Sequence, residues 1–229
     1  MYQRYGKRLI DASVSFVALV VLCPLFAVVG LAIKWTSPGP IFYWQDRVGR
    51  CSKIFKIAKF RSMVVDAEKK GLGITVSGDV RVTRFGAFLR KSKIDEFPQL
   101  WNVLKGEMSL VGPRPELPQY VSSYTPEQQL VFRVRPGITD PASIRYRHEE
   151  AILAVSQDPD HFYRNVVLPD KLALNIRYIR DISIFSDIKC VFQTMTSLFK
   201  QRTALSSEQI SGHPSPSAAL STEKKSRSC

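Results

Sequence analysis

The residues best suited to chemistry lie in one segment, 84–116, where two adjacent carboxylates stand among cations. Asp95 and Glu96 are neighbours, so their side chains point in different directions. One carboxylate can therefore face a reacting atom while the other holds a metal ion. Phosphoryl transfer needs a nucleophile in line with the leaving group and positive charge around the phosphoryl oxygens. The segment therefore predicts phosphoryl-transfer chemistry centred on Asp95 and Glu96.

Basic side chains near the acidic pair are the candidates for binding phosphate. An arginine offers two donors to two phosphate oxygens at once, whereas a lysine acts as a point charge, so the arginines are the stronger candidates. Mg²⁺ would complete the neutralisation. The candidate cations are Arg90, Lys91, Arg114, Lys59 and Arg61.

Asp95 has a second interpretation when its spacing is considered alone. Ser92-Lys93-Ile94-Asp95 fits the capping box, in which polar side chains satisfy backbone donors at a helix start. Acidic pairs beside basic residues are also common on solvated surfaces, and the Gly-Pro-Arg-Pro run at 112–115 is by itself a rigid turn. The spacing leaves the catalytic and the capping interpretations open.

An apolar run near the N-terminus is the element that would bring this chemistry to a membrane. Val14 to Ile33 is uncharged and, at ~1.5 Å per residue, is long enough to cross a hydrocarbon core of ~30 Å. Pro24 predicts a bend near its centre, and basic residues flank both ends, which gives no clear orientation. A re-entrant helix hairpin in one leaflet satisfies both observations, and a proline-kinked spanning helix is the alternative.

The remaining patterns predict an α+β fold that is predominantly helical. Alternating residues in 41–50 and 53–63 predict a small β element, which would form the floor of a polar site. Apolar residues from Ile184 to Phe199 recur at helical spacing and predict an amphipathic helix that lies on the bilayer or packs on the core. Helices are predicted over 84–90, 98–105, 125–134, 148–155 and within 170–200.

Composition favours a single catalytic domain with short appendages. The chain has 229 residues with 45% hydrophobic content, which predicts a membrane-embedded part at 1–36, a catalytic domain at 37–200 and a disordered tail at 201–229. The net charge of +13 favours a polyanionic partner. Much of the excess positive charge lies next to the apolar run, where it would contact anionic head groups and phosphates. The scattered cysteines and histidines predict neither a zinc site nor a disulfide framework.

Longer motifs show that the chain resembles the bacterial sugar transferases, the monotopic phosphoglycosyl transferases that initiate lipid-linked glycan assembly. The resemblance covers residues 5 to 195. It is carried by KRLIDASVSF, PGPIFYWQDRVG, FKIAKFRSM, TRFGAFLRKSKIDEFPQLWNVLKGEMSLVGPRPE, VRPGIT and YIRDISIFSDIK.

This resemblance implies a two-step reaction. Asp95 would attack the sugar-bearing phosphate of a UDP-sugar, release UMP and pass the phosphosugar to polyprenyl (undecaprenyl) phosphate, while Glu96 would hold Mg²⁺. It also implies the re-entrant hairpin, with the break at Pro24, and a place on the cytoplasmic face of the bacterial inner membrane. The other residues given roles are Arg90 at phosphate, Pro113, Arg114 and Pro115 beside the nucleotide, Lys59 and Arg61 as basic lining, and Glu107 near the metal.

The sequence departs from the family pattern at two places, and the resemblance does not specify every binding partner. Cys23 stands where relatives often have serine, and DPASIRYRHEE replaces the usual sequence after VRPGIT, so the sugar is not specified. Membrane lipid is an expected partner and nucleic acid is not, while a second copy of the chain and downstream glycosyltransferases stay open. A non-catalytic membrane scaffold is the competing hypothesis, and the intact Asp95–Glu96 pair disfavours it.

Overall fold

The first long element is helix α1, Lys7–Thr36, which continues through Pro24 as one helix. It is long and apolar enough to cross a membrane, and only 17% of its most apolar window is buried. Phe16, Val20 and Val21 are among its exposed side chains. The predicted apolar element is therefore confirmed as a helix with little protein packing. The proline predicted to separate two helices lies inside one continuous helix.

The computed structural model describes residues 2–67 and 74–199. Residues 2–67 and 74–195 belong to one compact unit. The tail predicted at 201–229 lies outside the described residues. The remaining α-helices are Arg84–Lys91 (α2), Gln99–Lys105 (α3), Pro118–Val121 (α4), Pro141–Arg145 (α5), Glu149–Ala154 (α6), Pro159–Phe162 (α7), Leu168–Arg180 (α8) and Ile184–Phe199 (α9).

Two small sheets accompany the helices. Strands β1, Phe42–Val48, and β2, Ile54–Phe60, pair antiparallel from Phe42 opposite Phe60 to Val48 opposite Ile54. This confirms the small β element predicted from the alternation of residues. Strands β3, Ser109–Val111, and β4, Gly137–Thr139, form a parallel pair that the sequence patterns did not predict.

Two glycines let the chain segments around β3 and β4 approach each other closely. A Cβ on Gly137 would lie 2.1 Å from the backbone nitrogen of Gly112, and a Cβ on Gly112 would lie 2.5 Å from the carbonyl oxygen of Arg135. Backbone atoms cannot yield as a flexible side chain can, so both positions need glycine. The contact joins the VGPRP and VRPGIT motifs and fixes the start of the loop that carries Arg114.

Helix α1 runs along α3 in the opposite direction. The guanidinium of Arg8 donates to the carbonyls of Val103, at 2.5 Å, and Leu104, at 2.7 Å, near the end of α3. Further along α1, Val29 packs in an apolar cluster with Ile94, which precedes α3. The polar start and the apolar end of α1 therefore both contact the predicted catalytic domain, residues 37–200 (the catalytic part).

Polar side chains fix the first turns of α1 to that part. Asp11 is 4% exposed and accepts from the Ser109 hydroxyl at 2.7 Å and the Leu110 backbone N–H at 3.2 Å. Lys7 pairs with Asp187 of α9 at 2.5 Å. Polar groups inside KRLIDASVSF thus anchor an otherwise apolar helix.

The predicted helices agree with the structure except at one position. The segment 125–134 forms a 3₁₀ helix, Gln128–Arg133, instead of an α-helix. Its Val131 and Phe132 still pack into the largest apolar cluster, which includes Tyr120 and Tyr163. The predominantly helical α+β class is confirmed, whereas a re-entrant hairpin and interfacial helices remain predictions.

Candidate functional site

A left-handed turn places the two carboxylates. Helix α2 ends at Lys91, and Lys93 turns the chain with φ 59° into a 3₁₀ helix, Ile94–Glu96, that precedes α3. The Ser92 hydroxyl donates back to the carbonyl of Phe88 at 2.9 Å, and the Ile94–Glu96 turn has no side-chain cap. The capping-box interpretation of Asp95 is therefore wrong.

Asp95 is a buried carboxylate that lacks a full set of hydrogen-bond partners. It is 6% exposed, and its Oδ1 is buried without a hydrogen-bond partner. Burial, reinforced by repulsion from Glu96, raises the pKa of Asp95 to about 6 against the attraction of nearby cations. A carboxylate that has lost water without gaining donors keeps its lone pairs available for attack.

Glu96 has the opposite surroundings. The Arg114 guanidinium donates to both of its oxygens, with Nη1 at 3.2 Å from Oε2, and Lys59 Nζ lies 3.4 Å from Oε1. Burial alone would raise the pKa of Glu96, but Arg114 and Lys59 outweigh it and hold the pKa well below its ordinary value. Glu96 is therefore a fixed carboxylate beside the less strongly compensated Asp95.

Lys59 and Arg114 come from distant elements and meet at Glu96. Lys59 projects from β2, and burial lowers its pKa to about 8 despite the attraction of Glu96. Pro113 accepts from the Gly137 N–H through its carbonyl at 2.9 Å, and the Pro115 carbonyl accepts from Arg47 at 3.1 Å. These two bonds fix the prolines on either side of Arg114.

Sequence reasoning missed two cations of the site. Arg47 of β1 bonds Gln45 at 2.7 Å as well as the loop, and its charge lowers the pKa of Lys59. Lys93 lowers the pKa values of both Asp95 and Glu96. Both residues stand inside motifs of the family resemblance, QDRVG and KSKIDE, which is the signal that could have identified them.

Three other predicted site residues have partners elsewhere. Arg90 pairs with Glu150, although its charge still lowers the pKa of Asp95. Arg61 donates to the carbonyl oxygens of residues 37 and 38 at 2.7 and 2.8 Å, so it holds the loop after α1. Glu107 accepts from the Asn102 amide at 2.8 Å and supports the packing of α3.

The acidic pair fits a metal ion that is shared with a substrate. Within 2–67 and 74–199, no group of three or more His, Cys, Asp or Glu side chains could hold a metal. Mg²⁺ usually takes only one or two carboxylates and completes its shell with water and substrate phosphates. The unpaired Oδ1 of Asp95 and the ionised Glu96 supply carboxylate oxygens of the required kind.

Comparison with known proteins identifies the family. A family model described as bacterial sugar transferase matches residues 2–201. The chain belongs to the bacterial sugar transferase family. The part of the chain that carries the resemblance and the part that builds the site are therefore the same.

Relatives of this bacterial sugar transferase include enzymes named for undecaprenyl phosphate. It is 36% identical over 195 residues to a UDP-N-acetylgalactosamine-undecaprenyl-phosphate N-acetylgalactosaminephosphotransferase of Aeromonas hydrophila, covering 84% of this chain and 43% of the relative. It is 40% identical over 205 residues to an undecaprenyl-phosphate glucose phosphotransferase of Komagataeibacter xylinus, covering 86% and 36%. The chain thus spans less than half the length of these two relatives.

A third relative is closer to this chain in length. The exopolysaccharide production protein PSS of Rhizobium leguminosarum is 36% identical over 198 residues, covering 83% of this chain and 94% of the relative. The matched region therefore accounts for nearly all of at least one family member.

Proposed function

We propose that this chain transfers a sugar 1-phosphate from a UDP-sugar to polyprenyl phosphate and so initiates a lipid-linked glycan. The observation that carries the proposal is Asp95, a buried carboxylate with an unpaired oxygen beside a Glu96 that Arg114 and Lys59 neutralise. The names of the relatives support this reaction class, since two of them name undecaprenyl phosphate and sugar phosphotransfer.

In the first step an oxygen of Asp95 attacks the phosphorus that carries the sugar. A new bond forms between that oxygen and phosphorus, the bond from phosphorus to the bridging oxygen breaks, and UMP departs with the electron pair. The product is an aspartyl phosphosugar, in which an acyl phosphate (mixed anhydride) bond joins Asp95 to the phosphorus. The burial of Asp95 supports this role, because the carboxylate has already lost most of its hydrating water before it attacks.

In the second step a phosphate oxygen of the polyprenyl phosphate attacks the same phosphorus. The bond from phosphorus to the Asp95 oxygen breaks, which restores the carboxylate and gives a polyprenyl diphosphate sugar. Such a two-step route divides one difficult transfer into two displacements at a single site. Downstream glycosyltransferases would then take the lipid-linked sugar as their acceptor.

The surrounding cations supply the charge that phosphoryl transfer requires. Lys59, Arg114 and Lys93 lie close enough to change the pKa of Glu96, and their field also favours the equatorial oxygens of the phosphoryl group. Arg90 would bind a donor phosphate after leaving Glu150. When bound, Mg²⁺ would add positive charge at the phosphates, and Glu96 would hold it with one of its remaining lone pairs.

The proposed location is the cytoplasmic face of the bacterial inner membrane, with α1 re-entrant. Both ends of α1 contact the catalytic part, Arg8 at α3 and Val29 beside Phe60, which supports a helix whose ends share one side of the bilayer. The exposed Phe185, Ile188 and Phe192 of α9 would lie at the membrane surface.

The direct test is release of UMP by the membrane-inserted protein. The protein is incubated with Mg²⁺, undecaprenyl phosphate and a panel of UDP-sugars that includes UDP-glucose and UDP-N-acetylgalactosamine. We expect UMP with at least one donor and none with Asp95→Asn. The matched control is Asp46→Asn, since Asp46 forms only an exposed pair with Lys56. No UMP from any donor, or full activity of Asp95→Asn, would contradict the proposal.

A further inference from the structure

Most of the unpaired buried polar atoms belong to three side chains, one of which is Asp95. Among the described residues, six buried side-chain nitrogen or oxygen atoms have no hydrogen-bond partner, and four of them belong to Ser15, Asp95 and Gln99. Each such atom lowers stability, because it has lost its bonds to water without gaining others, so native proteins hold few of them. Gln99 is the extreme case, because it is 0% exposed and neither atom of its carboxamide is paired.

The backbone places Gln99 close to Asp95. Residues 94–96 form a 3₁₀ turn that leads through Phe97 and Pro98 in helical conformation to the first residue of α3. Gln99 follows Asp95 by four residues along this continuous helical path, so the two residues are separated by only about one turn. Since both side chains are buried, both point toward the interior of the protein.

Ser15 approaches the same region from α1. Arg8, Asp11 and Ser15 recur at three- and four-residue spacing, so they share one helix face. Arg8 bonds the end of α3 and Asp11 bonds β3, which shows that this face is the one packed on the catalytic part. Ser15 is 0% exposed.

Ser15 and Gln99 occupy corresponding positions along the antiparallel helices α1 and α3. Ser15 lies seven residues after Arg8, or ~10 Å along α1, and Gln99 lies five residues before Leu104, or ~7.5 Å along α3. Because Arg8 meets Leu104 and the helices run in opposite directions, Ser15 and Gln99 lie at nearly the same level of the interface.

The four unpaired atoms have complementary chemistry. A serine hydroxyl can donate to the Gln99 Oε1, and the Gln99 Nε2 can donate to the Asp95 Oδ1. We propose that Gln99 is a positioning residue for the nucleophile: in the donor-bound enzyme it accepts from Ser15 and donates to Asp95, directly or through one water. The carboxylate is thereby held in one orientation, and its orientation is linked to the membrane helix.

This inference rests on the proposed function, and a kinetic test separates the two. Single-turnover release of UMP is measured with a UDP-sugar that the wild-type chain uses. With Gln99→Leu, we expect the rate at saturating donor to fall about 10- to 100-fold, because the carboxylate loses its orientation. The donor concentration for half-saturation should not change. Gln99→Glu should be slower still, since its charge repels Asp95. The control is the exposed Gln129→Leu, which should keep the wild-type rate.

The unfolding temperature separates a positioning role for Gln99 from a structural one, which would make Gln99→Leu less stable. Replacing an unpaired buried amide by leucine should leave the unfolding temperature unchanged or raise it, so a lower rate in a stable Gln99→Leu protein can only reflect positioning. Ser15→Ala should slow release roughly 2- to 10-fold, and the double variant should be no slower than Gln99→Leu alone.

Three results would overturn the inference. Gln99→Leu could keep the wild-type rate, it could change only the donor concentration for half-saturation, or the effects of Gln99→Leu and Ser15→Ala on the rate could be additive. An inactive wild-type chain would instead refute the proposed function.

Discussion

Asp95 and Glu96 are adjacent in sequence and differ in what surrounds them. Glu96 is bonded to two cations, whereas Asp95 keeps an unpaired buried oxygen. Two carboxylates whose environments separate their pKa values can take different roles in one reaction. At the residue scale, this difference supports the proposed roles of Asp95 as the nucleophile and of Glu96 as the carboxylate that organises positive charge.

The pH dependence of the first half-reaction should follow this arrangement. Asp95 attacks only when ionised, and its pKa is raised to about 6, so kcat/KM for the UDP-sugar should fall as pH drops below that value. Lys59 supplies charge only when protonated, and its pKa is lowered to about 8, so kcat/KM should also fall above that value. A bell-shaped profile is therefore expected.

Lys59→Arg tests the alkaline limb of that profile. Arginine keeps its charge at any pH used, so the alkaline decline should disappear while the acidic decline stays. A profile of Lys59→Arg that still falls near pH 8 would assign the decline to another group.

The bidentate hydrogen bonding of Arg114 to Glu96 should contribute more to activity than the charge of Arg114 alone. Arg114→Lys keeps the charge but loses the planar fork that reaches both oxygens, so kcat/KM should fall about 10- to 100-fold. Arg164→Lys is the matched control, because Arg164 pairs with Asp160 away from the site, and it should stay near the wild-type value. Equal activities of the two variants would show that the fork is dispensable.

At the scale of elements, the side chain of Asn102 in α3 forms hydrogen bonds with the backbone of β2. Asn102 is 0% exposed, accepts from the Ala58 N–H at 2.9 Å and donates to the carbonyl of Lys56 at 2.8 Å. It therefore fixes the helix that follows Asp95 against the strand that carries Lys59.

Asn102→Leu should destabilise the catalytic part. The substitution leaves a buried backbone donor and acceptor without partners, which costs roughly 2–5 kcal/mol, so thermal unfolding in detergent should move to clearly lower temperature. The exposed Asn165→Leu removes only a bond to the His161 carbonyl and should leave the transition within error. A transition of Asn102→Leu equal to that of the control would refute the fastening role.

Local sequence patterns predict the helices and strands, but they predict only part of the candidate site. Alternation predicted β1 and β2, and an uncharged apolar run predicted α1, because each pattern is contained in its own segment. The Glu96–Arg114 pair joins residues 18 apart and could be inferred only from the family resemblance. The Arg90–Glu150 pair spans 60 residues and depends on the packing of the divergent DPASIRYRHEE segment. Neither patterning nor resemblance predicted that contact.

At the scale of the whole molecule, the proposed reaction would join a water-soluble donor to a lipid acceptor. The acidic pair lies between β2, which carries Lys59, and α3, which packs on α1 through Arg8. The exposed apolar surface of α1 therefore lies on an element that directly contacts the catalytic part. This arrangement would admit the nucleotide from water and the phosphate of the acceptor from the membrane surface.

The topology of α1 gives the last prediction, since a re-entrant helix keeps both of its ends on the cytoplasmic side. Cys51 is exposed and follows β1, so it reports the C-terminal side, and Gln3→Cys reports the N-terminal side. Each cysteine is kept alone, with the other cysteines replaced. A membrane-impermeant thiol reagent should label neither in sealed spheroplasts and both after lysis. Labelling of one end in sealed spheroplasts would instead show that α1 spans the membrane.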